Sequence, residues 1–170
     1  MLPAEFDMHD LNHPKVKAFT REIARSLDLD AAFADFVFAK SRPECFEYWV
    51  EDARHGWTCY VPDEVEVAYP LWSTNADQTL ILLKESTLSY GKGWHDSPDM
   101  EMISATTQGL LTHLMAELAG SDVSDEELKQ AAAFCEYRFF EEFLNVIQAP
   151  DASWTETMQR FIADVDAKSR

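Results

Sequence analysis

Basic residues are scarce in this chain: 14 Lys and Arg stand against 31 Asp and Glu in 170 residues, a formal charge of −17. A field of that sign excludes a surface made for nucleic acid phosphates or anionic lipid headgroups, and it speeds encounter with a basic partner. No apolar run is long enough to span a bilayer, and no basic-then-apolar signal pattern opens the chain, so residence in the cytoplasm is the expectation. Cysteine is equally sparse. Cys45, Cys59 and Cys135 are odd in number and widely spaced, which excludes a disulfide framework or a CxxC zinc knuckle and leaves reduced thiols in or near a core. No catalytic motif, internal repeat, low-complexity tract or linker is present, and one domain over 1–170 is expected.

Apolar residues, by contrast, are plentiful. They make up 46% of the chain and aromatics 12%, including 11 Phe, 5 Tyr and 5 Trp, which a disordered acidic tail would not carry. The charge is spread over this folded body and deepens along it. Six bases meet nine acids over residues 1–50, three meet nine over 51–100, and five meet thirteen over 101–170.

The periodicity changes twice. After a loosely ordered start over 1–11, Pro14 opens a predicted helix over 14–27, in which Val16, Phe19, Ile23 and Leu27 share a face. Asp28 or Asp30 caps a shorter helix carrying Phe33, Phe36 and Val37. Alternation then predicts strands at 45–50, 57–61 and 65–69, a central strand at 79–83, and a short one at 87–90 before a Gly91-Lys92-Gly93 turn. Helical spacing returns with Ser104 as cap and Leu110, Leu111, Leu114, Met115 and Leu118 as the buried stripe. Ser124 with Glu127, and Ser153 with Glu156, are capping boxes. The first opens one long helix ending before Pro150, and the second an added C-terminal helix in 151–170. The fold class is α+β: a central, mostly antiparallel sheet of four or five strands with helices before and after it.

The histidines invite chemistry without assembling it. His9 and His13, near Asp7 and Asp10, have metal-ligand spacing but lack a third ligand, and Pro14 sets His13 at a helix edge. His95 and Asp96 form an adjacent pair with no nucleophile nearby, and such a pair reads as a polar loop tip. His55 reads as a turn residue, and His113 with Glu117 as an exposed i, i+4 pair. Catalytic residues, metal ligands and a cofactor are therefore not expected. Acid clusters carry more signal: Asp63, Glu64 and Glu66 by the third strand, and Asp125, Glu126, Glu127, Glu136, Glu141 and Glu142 on the long helix. Trp49, Trp57, Trp72 and Trp94 crowd the sheet region, with Trp72 and Trp94 beside turns and so the candidates for exposure. An aromatic and acidic face suits a partner rich in Lys and Arg.

The helix–sheet–helix layout, with Tyr60-Val61-Pro62 and Pro70-Leu71-Trp72-Ser73-Thr74-Asn75 inside the sheet, resembles the SMI1/KNR4-like (SUKH) superfamily over residues 12–148. The resemblance implies an immunity protein that binds and neutralises a toxin, often a nuclease, and the acidic balance of the chain agrees with a basic toxin domain as its target. Read from the residues themselves, the partner-binding candidates are Asp63, Glu64, Glu66 and Asp77 as charge partners and Trp72 and Trp94 as apolar anchors. A small acid/base or metal-assisted enzyme, or an intracellular scaffold, is the alternative.

Overall fold

Glu85 and Ser86 both adopt left-handed backbone angles, with φ of 48° and 65°. That is the geometry of a two-residue turn whose twist matches paired strands, here without the usual glycine. It joins β3 (Asp77–Lys84) to β4 (Thr87–Trp94) in unbroken antiparallel register from Lys84↔Thr87 to Asp77↔Trp94. In the computed structural model, which describes residues 13–53, 60–94 and 96–170, the sheet also contains β1 (Glu51–Asp52), β2 (Val67–Ser73) and β5 (Met100–Ser104). The order is β1-β2-β3-β4-β5, antiparallel throughout, so each strand lies beside its neighbour in sequence. Helices α1 (Arg21–Ser26) and α2 (Ala31–Val37) precede the sheet, with a 3-10 turn at Glu44–Phe46. After it come α3 (Thr107–Ala119), α4 (Asp125–Phe134), α5 (Phe140–Gln148) and α6 (Trp154–Ser169). The architecture is the expected α+β.

Each face of the sheet buries its own cluster. One side packs Tyr69, Trp72, Ile81 and Tyr90 against Phe33, Phe36 and the expected Leu110–Leu118 stripe of α3. The other packs Ala68, Leu80 and Leu82 under Val61 and Val65, with Val16 and Met100 at its margin. Gly91 belongs to that second face because a Cβ there would meet Leu82 Cδ1 at 2.8 Å and Met100 Sδ at 3.0 Å. The Gly91-Lys92-Gly93 segment is thus strand, not the turn its composition predicts. Its alternation sends Lys92 to the helical side.

Other expectations change for local reasons. Residues 14–17 are not helical: Val16 bridges Ala68, and Lys15 donates through Nζ to the carbonyls of Pro62 and Asp63, so only α1 remains of the first helix. Residues 45–50 fall in the Glu44–Phe46 3-10 turn and the turn that follows it rather than in a strand, and most of 57–61 lies outside the described residues. The predicted long helix breaks after Phe134, where Glu136 takes φ 53°. There the Tyr137 N–H returns to Ala132 O at 2.8 Å and the Glu136 N–H to Ala133 O at 3.3 Å, a Schellman closure. The buried Gln108 side chain satisfies the groups beyond the break, donating to Glu136 O and accepting from the Arg138 N–H. Tyr137 then reaches Thr112 through its hydroxyl at 2.9 Å.

Asp166, buried on α6, ties the last helix to the joint between β5 and α3. It accepts from the Ala105 N–H at 2.8 Å, the Thr106 N–H at 3.1 Å and the Thr106 hydroxyl at 2.6 Å, and Thr106, not Ser104, is the N-cap of α3. Gly109 is the residue that lets Asp166 in, since a Cβ there would collide with Asp166 Oδ1 and sit 2.8 Å from Ser104 Cβ. Gly109→Ala should therefore destabilise the fold by about 1–3 kcal/mol despite alanine's better helix propensity. Asp166→Ala should cost a similar amount by stranding the half-buried N–H groups of Ala105 and Thr106. Urea midpoints of the two single variants and the double variant check this. The cost of Gly109→Ala should shrink once Asp166 is gone, and additive costs would contradict the proposed fit.

Candidate functional site

Lys92 is 4% exposed in the middle of a strand, and an ammonium there needs compensation. Two carboxylates supply it. Glu117 on α3 forms a close ion pair with Lys92 Nζ, and Asp77 on β3 lies 3.8 Å away through Oδ2. The placement follows from register: Asp77 stands opposite Trp94, one same-face step along the strand from Lys92, while α3 lays its fourth-residue neighbours His113 and Glu117 above. His113 Nε2 is 3.4 Å from Glu117 Oε1, so the carboxylate is engaged from two sides.

The environment moves the two acids apart. Burial pushes the Asp77 carboxyl above its ordinary value, and the like charge of Glu117 adds to the rise; Lys92 and Thr74 offset it only in part. Burial also acts upward on Glu117, but the neighbouring His113 imidazole and the Lys92 ammonium outweigh it and leave that carboxyl below its ordinary value. A carboxylate held down in this way and already engaged is a poor proton acceptor, so the cluster suits electrostatic organisation better than acid/base turnover.

His113 and Glu117 also line a cleft of about 270 Å³ between β5, α3 and α6. Glu101 and Ile103 of β5 form one wall, and Trp154 and Met158 of α6 another. The Ser153–Glu156 capping box holds the first turn of α6, and an Asp151–Arg160 ion pair at 2.6 Å braces the same turn, which places Trp154 at the rim, 43% exposed.

The sequence-predicted residues fall into three groups. Asp63, Glu64 and Glu66 are exposed beside the start of β2, where Glu66 Oε1 also accepts from the Glu85 N–H at 3.2 Å. Trp94 is half-buried at the end of β4. Trp72 and Asp77 are corrections. Between Pro70 and Trp72 the register slips by one residue, and this bulge turns Trp72 inward, 3% exposed, with its ring edge-on to Phe33 and Phe36. Strict alternation could not show that. Asp77 is buried and committed to Lys92, so neither residue offers itself to a partner. His113 and Glu117 are likewise not an exposed pair, and Lys92 and Glu101 are the residues that sequence reasoning passed over. A lysine flanked by glycines in an alternating segment was the available signal for Lys92.

His9, His55, His95 and Cys59 lie outside the described residues, while His13 Nδ1 accepts the Lys15 N–H at 3.2 Å. Among the described residues no three His, Cys, Asp or Glu are grouped to hold a metal, and no helix is long and apolar enough to cross a membrane. Cys45 and Cys135 are free thiols, and burial pushes Cys135 up to about 12. No protein-family model, curated protein or solved structure matches the chain.

Lys92→Met should destabilise the fold by about 3–5 kcal/mol, because it leaves two carboxylates facing each other without their cation. Adding Asp77→Asn and Glu117→Gln should recover much of the loss; chemical denaturation of the single and triple variants tests this, and no recovery would contradict the charge account. The pH dependence has a definite sign as well. Asp77, with its folded pKa raised, binds its proton more tightly when folded, so its contribution is best below its ordinary value and is lost as pH rises through the elevated one. Glu117, with its folded pKa depressed, contributes above its ordinary value and loses that share as pH falls through the folded one. Asp77→Asn should therefore gain on the parent protein as pH climbs from about 4 toward 7. Urea midpoints at successive pH values read this out, and a flat difference would exclude Asp77 as the linked group.

Proposed function

We propose that this chain is a non-enzymatic acidic protein-binding module that captures a basic protein in the cytoplasm, in the manner of a SUKH-type immunity protein blocking a toxin domain such as a nuclease. One observation carries the reading. Every described carboxylate except those of Asp77, Glu117 and Asp166 is exposed, whereas Lys92 spends its charge inside the fold. The field of the −17 chain is thus directed outward. Self-repulsion among such groups opposes the folded state, and a cationic partner relieves it while being steered in at long range.

Asp63, Glu64, Glu66 and Trp94 remain candidates for that contact. Asp63 gives its carbonyl, not its carboxylate, to Lys15, so its charge stays on the surface. Immobilised protein offered a bacterial lysate at about 50 mM and about 500 mM salt tests the mechanism, since screening shortens the reach of exposed charges over that range. The expected outcome is retention of basic proteins at low salt and their release at high salt. Replacing Asp63, Glu64 and Glu66 together by Asn and Gln should weaken retention without lowering the thermal midpoint. Retention of mainly neutral or acidic proteins, or retention indifferent to salt, would sink the proposal.

A further inference from the structure

We infer that the cleft between β5, α3 and α6 is the receptor for one arginine side chain of the basic partner, an inference that rests on the binding-module reading above. The size of the cleft sets its class of occupant. At about 270 Å³ it falls just below the range of roughly 300–1,000 Å³ typical of whole small molecules, and it suits a single long side chain.

The chemistry of the walls selects among side chains. Ile103, Met158 and Ile162 offer apolar contact to a methylene stem, while Glu101 and Glu117 bring carboxylates to the same space. Glu101 is the available one. It stands directly across the strand pair from Lys92, yet the Lys92 ammonium is drawn to Glu117 and Asp77 instead. Among the described residues the Glu101 carboxylate has no ion pair. Lys92 is thus shared by Asp77 and Glu117, and the Glu101 carboxylate opposite it in the strand pair keeps its negative charge for another cation.

Trp154 completes the match. Its indole lies at the rim, exposed enough to be covered by a ligand. A planar guanidinium stacks on such a ring and meets a carboxylate edge-on, which an ammonium does less well. The partial positive charge at the start of α6 is met within its own first turn by Glu156, whose carboxylate closes the capping box.

Butylguanidinium, with neutral butyramide as the control of equal reach, probes the cleft in the intact protein by heteronuclear NMR. Saturable shifts are expected at the Trp154 indole N–H and at the amides of residues 101–103 and 113–117, with butylguanidinium only. Glu101→Gln and Trp154→Ala, both at exposed positions, should each weaken that binding about three- to tenfold. A deca-arginine peptide titrated at low and high salt provides the second arm. If the peptide binds in a salt-sensitive way but the small probe perturbs other regions, or the two variants change nothing, the cleft assignment is overturned and the module reading stands. If the peptide does not bind either, both fall.

Discussion

A lysine buried in the middle of a strand dictates much of this molecule. Removing an ammonium from water is costly, and the cost is tolerable only where carboxylates wait at the right distance. Lys92 obtains them from two different elements, Asp77 on the adjacent strand and Glu117 on α3. The ion pairs therefore set where α3 lies over the sheet, as the apolar stripe of α3 does less selectively. A hydrophobic contact tolerates sliding by part of a turn; a buried charge does not. Placing α3 in this way also brings His113 and Glu117 to the wall of the cleft.

The chain is turned and its helices are tied by specific polar groups rather than by glycine-rich turns. Asp28 and Glu136 take the left-handed angles that end α1 and α4, and Glu85 and Ser86 those of the central hairpin. Each is a residue with some strain to absorb, and each sits beside specific closing hydrogen bonds. Gln108 bridges the break after α4, and Asp166 clamps α6 onto the start of α3. Because α6 is fixed at that end by Asp166 and at its beginning by a capping box, Trp154 has a defined position against β5. The cleft results from these ties.

The same division between inside and outside governs the electrostatics. Within the fold, the buried charges are met locally, Lys92 by Asp77 and Glu117 and Asp166 by the N–H groups of Ala105 and Thr106 and the Thr106 hydroxyl. On the surface charge is not balanced in this way, and among the described residues the exposed ion pairs are Arg21 with Asp35 and Arg160 with Asp151. Exposed pairs of this kind add little to stability, about 0–1 kcal/mol. What the surface charge does strongly is act at a distance on other molecules, which is why we propose a basic protein as the partner.

Much of this was legible in the chain. The apolar runs and their periods identified a central β3, a buried α3 stripe and an α+β order, because burial on one face imposes period 2 or 3.6 on any sequence. The capping boxes at Ser124 and Ser153 were readable because they are local hydrogen bonds between residues three apart. Asp63, Glu64 and Glu66 were rightly placed at the surface near β2, since a cluster of like charges is costly to bury. Three other features were decided only by the tertiary structure. A bulge reversed the facing of Trp72, a left-handed Glu136 divided one helix into two, and long-range pairing turned Gly91-Lys92-Gly93 from a turn into a strand with a buried cation. In each case the local preference was weak and a distant partner outweighed it: the aromatic cluster around Phe33 and Phe36, the Gln108 amide, and the carboxylates of Asp77 and Glu117. Composition and period therefore determined the layers and the sign of the surface. Which side chains meet in the cleft was decided by contacts between residues far apart in the chain, and such contacts leave no periodic trace in it.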